Sequence, residues 1–325
     1  TLTGAGRQLI RDRTVNPAAH DLLLQARFAL RAGTAADNRE GLRLIRQAIG
    51  LDSTYAAAWV TLSRLHFNMA LLGEADLGAQ DSTRLAVERA VQLDSLSSEV
   101  QVALARTRFR YDWDWPAAEA AFRRALAINP SSAEAHVDYA RFLRSMARFA
   151  ESRAELMRAA ALDPIGADRP LAFGRIAHIA HDFDEAIRLS NADPNHGVRN
   201  WATWTAQAYL AAGRYQEAAA LEFQASSDAP GGRLIRIILA VKTGRPDSAR
   251  RLLATMPAGW PYFRSLSFAA LGEPDRAFAA LDEAVRVRDQ LVADLLVDPL
   301  MAPIRGDPRF DALLARLRFP RPPGR

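Results

Sequence analysis

A short phrase returns along this chain and leaves few architectures open: "AGRYQEA" at 212–218, "TGRPDSA" at 243–249 and "LGEPDRA" at 271–277. Each reads as a small-residue turn, an aromatic residue or Pro, a polar or acidic residue, then Ala. The glycines, Gly213, Gly244 and Gly272, stand 31 and 28 residues apart, and "MARFAES" at 146–152 is a fourth copy with Ala147 in the glycine position. A second phrase closes the stretches that follow: "AIGLDST" (48–54), "AVQLDSL" (90–96), "ALAINPS" (125–131) and "AAALDPI" (159–165), with 34 residues from Ala125 to Ala159. Self-similarity at this period marks a stacked array, in which no unit buries its apolar face without a neighbour.

Each unit holds two amphipathic stretches, for example "AEAHVDYARFLRSM" (133–146) and "AESRAELMRAAAL" (150–162), with apolar residues at helical spacing. Gly or Ala between them permits a tight turn, and Asp-Pro or Asn-Pro after the second stops it, because Pro cannot continue a helix. Strand signals are nearly absent. The expected fold is an all-α solenoid of stacked antiparallel helix pairs, about seven of them, plus a C-terminal capping helix. "GDPRF" (306–310) starts that last helix, with Asp307 capping, Pro308 in the first turn and Phe310 as the anchor. The expected layout is one array over 1–325: better-matching repeats at 1–165, an irregular junction at 166–200, C-terminal repeats at 201–288, a capping segment at 289–319 and a flexible tail at 320–325. Insertions lengthen the turns near 33–38 and 72–81, and the junction is where the array bends or loses a helix.

Charge needs locating before it is interpreted. The chain has 325 residues, a net charge of +5 and a pI near 10.0, which invites a nucleic-acid reading. Residues 1–50 carry eight Arg against four acids and residues 301–325 six against two, while 51–300 hold 28 bases and 31 acids. Lys242 is the one lysine. The excess sits at the two ends, and arginine choice lifts the pI without adding charge. With no Cys there is no disulfide framework, zinc-thiolate site or Cys nucleophile. The greasiest run, "LIRIILAV" at 234–241, is broken by Arg236 and is too short to cross a bilayer. The chain opens at Thr1 with no Met or signal pattern, and reads as part of something longer.

The chain resembles tetratricopeptide repeat proteins, whose unit is roughly 34 residues long. In the 133–166 unit the matching positions are His136, Tyr139, Ala140, Leu143, Ser152, Leu156, Ala159 and Pro164. Trp59, Leu62, Ser63 and His66 open another unit, and Ala118, Phe122, Ala125 and Pro130 close a third. The resemblance implies a right-handed superhelix. A narrower likeness, carried by "YDWDWPAAEAAFRRALAINPSSAEAHVDYARFL" (111–143), "DPLMAPIRGDPRFDALLARL" (298–317) and "RTVNPAAHDLLLQARFAL" (13–30), is to the C-terminal repeat region of multidomain bacterial signalling proteins. It implies a preceding serine/threonine kinase, nucleotide cyclase or winged-helix domain, and leaves open which side of a membrane this region occupies.

Catalytic constellations are missing from the sequence. There is no Gly-Lys-Ser/Thr phosphate loop, and Lys242 has no Gly-rich loop before it. Gly4 and Gly6 form a Gly-x-Gly without a preceding strand, and "HDFDEA" (181–186) has Asp184 where a kinase has Gly. His178 and His181, followed by Asp182 and Asp184, have a metal-like spacing; the reading is of structural or solvated histidines, since no third ligand is fixed. In "YDWDW" (111–115), Asp112 and Asp114 alternate with Trp113 and Trp115 as a carbohydrate or cation site would, but packing is the preferred reading, with Pro116 at the first helical position. Nothing calls for a cofactor, and the chain itself reads as non-catalytic.

The first helix of each pair lines the concave face of such arrays. In the repeat register, position 9 gives Arg64, Arg106 and Arg141, and position 12 gives Phe67, Phe109 and Arg144. Position 13 adds Asn68 and Arg110, and position 2 adds Glu99 and Glu134; the "YDWDW" insertion leaves the register at 101–110 ambiguous by one residue. Two readings stand side by side. An arginine row beside an aromatic row takes an acidic or C-terminal segment of a protein partner; alternatively, each arginine pairs within its own unit on a solvated face. The opposing classes are a nucleic-acid-binding helical array, disfavoured by the acidic middle, and the docking arm of an enzyme whose catalytic domain lies elsewhere. Sequence fixes neither the partner nor the oligomeric state.

Overall fold

The computed structural model describes residues 16–32, 34–72, 79–163, 169–192, 201–221 and 230–320, and among them every regular element is helical. Gly4 and Gly6, most of the turn near 72–81, parts of the 166–200 junction and the tail beyond residue 320 lie outside the described residues.

Two compact units make up the chain, Thr1–Tyr139 and Ala140–Arg325. The first holds α1 (Pro17–Ala32), α2 (Ala35–Leu51), α3 (Ala56–Leu71), α4 (Ala79–Leu93), α5 (Ser98–Thr107), a π-helical turn (Arg108–Asp112), α6 (Trp115–Ile128) and the opening of α7 (Ala133–Ser145). The second holds the rest of α7, then α8 (Phe149–Leu162), α9 (Arg169–Ile179), α10 (Phe183–Ser190), α11 (Trp201–Ala211) and α12 (Tyr215–Ala220). It continues with α13 (Pro230–Lys242), α14 (Pro246–Ala254), α15 (Pro261–Ala270), α16 (Pro274–Arg286), 3₁₀ turns at Gln290–Asp294 and Pro299–Ile304, and α17 (Pro308–Arg316). Among the described residues, eight successive pairs precede the last helix, against an expectation of about seven. α9 and α10 form one of these pairs inside the stretch expected to bend or lose a helix.

Local chemistry explains the helix ends. Thr34 and Asp37 form a reciprocal capping box, so α2 starts at Ala35 and the lengthened turn expected near 33–38 shrinks to a short link. Asp114 accepts from the Ala117 N–H and starts α6 at Trp115, one residue earlier than the Pro116 rule predicts. Asp307 accepts from the Arg309 N–H at 2.9 Å ahead of Pro308. Among the described residues of the second unit, seven turns share one geometry: the N–H that follows a left-handed residue reaches back five residues to a carbonyl, at 2.8 to 3.0 Å. Gly213, Gly244 and Gly272 fill three of these positions at φ of 72° to 74°. Ala147, His181, Arg288 and Arg318 fill the others at φ 59°, 64°, 53° and 56°.

Packing in the first unit runs through Leu23, Ile45 and Leu65, each at most 1% exposed, and on through Val60, Val87 and Val100. Gly41 permits the approach of α2 to α3, because a Cβ there would meet Leu65 Cδ2 at 2.7 Å. The second unit buries Leu234, Ile235 and Ile237 of α13 and closes on Val292, Leu295, Met301 and Phe310. Each such side chain contributes about 1.5–3 kcal/mol of transfer free energy. No helix among the described residues is long and apolar enough to cross a membrane.

Candidate functional site

In the first unit the arginines of the first helices meet acids of first helices further along the chain. Arg27 of α1 donates to Glu99 of α5 at 2.5 Å and to Thr61 Oγ1 of α3 at 3.4 Å. Arg64 of α3 pairs with Glu134 of α7 at 2.6 Å. Arg106 of α5 pairs with Asp138 and lies 3.5 Å from Glu134. Glu134, at position 2, therefore faces both Arg64 and Arg106, and Glu99, at position 2, faces Arg27. Burial pulls the Arg106 pKa down, and the charges of Asp138 and Glu134 outweigh that and hold it above the ordinary value. The same opposition, burial against Glu99, raises Arg27.

Solvation separates these pairs. Asp138 is 5% exposed and Arg106 16%, whereas Arg64 is 28% and Glu134 46% exposed. A pair as wet as Arg64–Glu134 is worth roughly 0–1 kcal/mol and exchanges readily. Breaking the buried Arg106–Asp138 pair would leave a charge without compensation.

The one-residue ambiguity at 101–110 resolves into the π-helical turn. A π turn absorbs one extra residue and rotates everything after it. Phe109, expected on the open face, is buried edge-on against Trp115 with centroids 6.3 Å apart, and Arg110 lies buried with its guanidinium 4.2 Å from the Phe109 ring centre. Tyr111 takes the place beside Phe67 instead, edge-on at 6.3 Å, with the Arg106 guanidinium 6.0 Å from the Phe67 ring centre. Phe67, Tyr111 and Arg106 border a cavity of about 10 Å³ completed by Ser63, Thr83 and Thr107, room for one water. Asn68 is half-buried one residue beyond Phe67. Of "YDWDW", Asp112 accepts from Arg84 and Arg108, Asp114 caps α6, and Trp113 is left-handed at φ 54°.

Arg141 and Arg144 belong to the second unit. Arg141 is half-buried. Arg144 is buried and reaches Asp294 at 3.4 Å, while Ser145 Oγ donates to the same carboxylate oxygen. His178 and His181 both pack on Phe183, their rings 5.7 and 5.6 Å from its ring, and His181 serves as the left-handed turn residue. Burial, with Arg175, His181 and Arg144 nearby, pulls the His178 pKa down to about 4. Asp182 caps α10. Sequence reasoning missed Arg27, Asp138, Tyr111 and Asp294. An arginine on each of α1, α3, α5 and α7 was the available signal for Arg27.

Residues 114–166 match the sequence model of the tetratricopeptide repeat family. A comparison with curated protein sequences finds no match. Among solved structures, a tetratricopeptide repeat protein from Parabacteroides merdae superposes with a TM-score of 0.50 at 11% identity, over 84% of this chain and 99% of its own. The Cut9–Hcn1 hetero-tetramer of APC/C gives a TM-score of 0.50 at 11% identity, over 87% of this chain and 63% of the other. The family match is to a repeat and not to an enzyme. Residues 114–166 are tetratricopeptide repeats, and the chain has the helical-repeat fold of tetratricopeptide repeat proteins.

Proposed function

We propose that this chain is a non-catalytic protein-interaction scaffold, the regulatory or sensor part of a signalling protein, and that its first unit takes an acidic partner segment along the first-helix face. The observation that carries the reading is the part-exposed Arg64–Glu134 pair. A partner carboxylate replaces Glu134 on Arg64 at little net cost, since the internal pair is worth under about 1 kcal/mol. The half-buried Phe67 next to it supplies apolar contact area, as do Leu24 and Phe28 of α1, 51% and 76% exposed. Arg106 stays with Asp138 and shapes the floor.

Two substitutions test this in opposite directions with a labelled Glu-rich peptide. Arg64→Ala removes the receptor and abolishes salt-sensitive capture; Glu134→Gln removes the internal competitor and tightens capture about threefold, a difference of roughly 0.7 kcal/mol. Capture that neither change moves would sink the proposal. Stronger capture of single-stranded nucleic acid than of the peptide would turn the reading to the other class.

A further inference from the structure

One carboxylate of the capping segment leaves its own neighbourhood. Asp289 accepts from the backbone of Leu291 at 3.0 Å and of Tyr262 at 3.4 Å. Asp298 accepts from the Leu300 N–H at 2.9 Å and the Tyr262 hydroxyl at 3.0 Å. Those two acids fasten the 3₁₀ turns to themselves and to α15. Asp294, between them, reaches Arg144 and Ser145 on α7, 150 and 149 positions away in sequence.

We infer that Arg144 and Ser145 form a carboxylate-receiving position that the chain fills with its own acid, and that Asp294 thereby acts as a built-in pseudo-ligand, turning acidic partner segments away from the second unit. A guanidinium beside a hydroxyl donor is what an Asp or Glu side chain of a partner would seek. The position is desolvated, with Arg144 3% and Asp294 14% exposed, so it demands a matching charge at all times. Val292, Ala293 and Leu295, all 0% exposed, clamp the segment on both sides of Asp294. That clamp gives the internal carboxylate an effective concentration no dissolved acid reaches. The exclusion of partners rests on the proposed reading of the first unit; the filled position does not.

Asp294→Ala opens a carboxylate-shaped vacancy. Its thermal midpoint is expected to fall, and sodium formate to restore the midpoint more than sodium chloride at equal ionic strength. Equal restoration by the two salts overturns the carboxylate position. With the labelled Glu-rich peptide, Asp294→Ala gains a second binding event, about tenfold tighter than any residual capture by an Arg64→Ala protein, and Arg64→Ala in the same chain does not remove it. If formate rescues but no second event appears, the exclusion of partners falls. Where Asp294→Ala does not fold, Asp294→Asn keeps the shape and loses the charge, and a midpoint equal to that of the unsubstituted chain overturns the inference. Failure of Arg64→Ala to alter peptide capture would remove the first-unit reading and leave the formate result standing.

Discussion

Arg64 in the first unit and Arg144 in the second both stand on the first helix of a pair, and both face a carboxylate from elsewhere in their unit. Arg64 is 28% exposed against a Glu134 that is 46% exposed, whereas Arg144 is 3% exposed against an Asp294 at 14%. Water decides what each pair is for. A wet pair can trade its acid for a partner's, while a dry pair holds two distant parts of one unit together and cannot be traded without leaving a bare charge. An arginine row read from spacing alone treats the two as equivalent.

The largest expected effect breaks that equivalence directly. Arg144→Ala should lower the unfolding free energy by about 3–5 kcal/mol, because it removes one partner of a buried ion pair. Arg64→Ala should lower it by less than about 1 kcal/mol. Urea denaturation of both variants reads the contrast, and equal losses would erase it.

A smaller effect sharpens the picture of the second unit. Burial pushes Asp289 and Asp298 up to about 6 from an ordinary value of 3.8. Both carboxyls hold protons in the folded chain that the unfolded chain has released, so stability from this source is present below the unfolded value and is lost as pH rises through about 6. The segment around Tyr262 should be tighter at pH 5 than at pH 7.5, by roughly 1–1.5 kcal/mol for each group. Amide hydrogen exchange of residues 289–305 across that range measures it. Asp298→Asn should flatten the dependence, and protection that increases steadily with pH would contradict the assignment.

How much of this was legible depends on whether the determinant was local. The turns and helix starts were readable because Gly213, Gly244, Gly272 and Asp307 act on backbone within a few residues of themselves. The shift at Phe109 was not, since a π turn and an ordinary insertion look alike in sequence, and only the packing of Phe109 on Trp115 selects between them. The partners of the arginines were half readable. Glu99 and Glu134 had the right register position, but their reach past an intervening helix depends on how the helices stack. Asp294 gave no signal, because nothing local to "LVADLLV" points to a residue on α7.

The smallest effect concerns the turns and divides the second unit from the first, whose described residues include a single left-handed one, Trp113. Seven turns among the described residues of the second unit need a residue with positive φ, and in Ala147, His181, Arg288 and Arg318 the Cβ crowds the following carbonyl. Glycine relieves that crowding, at the entropic cost of a freer unfolded chain. The balance for Ala147→Gly is a gain of about 0.5–1 kcal/mol. Gly213→Ala, where no heavy atom lies within 4 Å of an added Cβ, should lose a similar amount from backbone strain alone. Thermal melts of the two variants, opposite in sign and similar in size, would show that the phrase repeated along the sequence encodes a backbone angle, with the identity of the residue secondary. A destabilising Ala147→Gly would mean that the Ala147 methyl has a packing role that outweighs its strain.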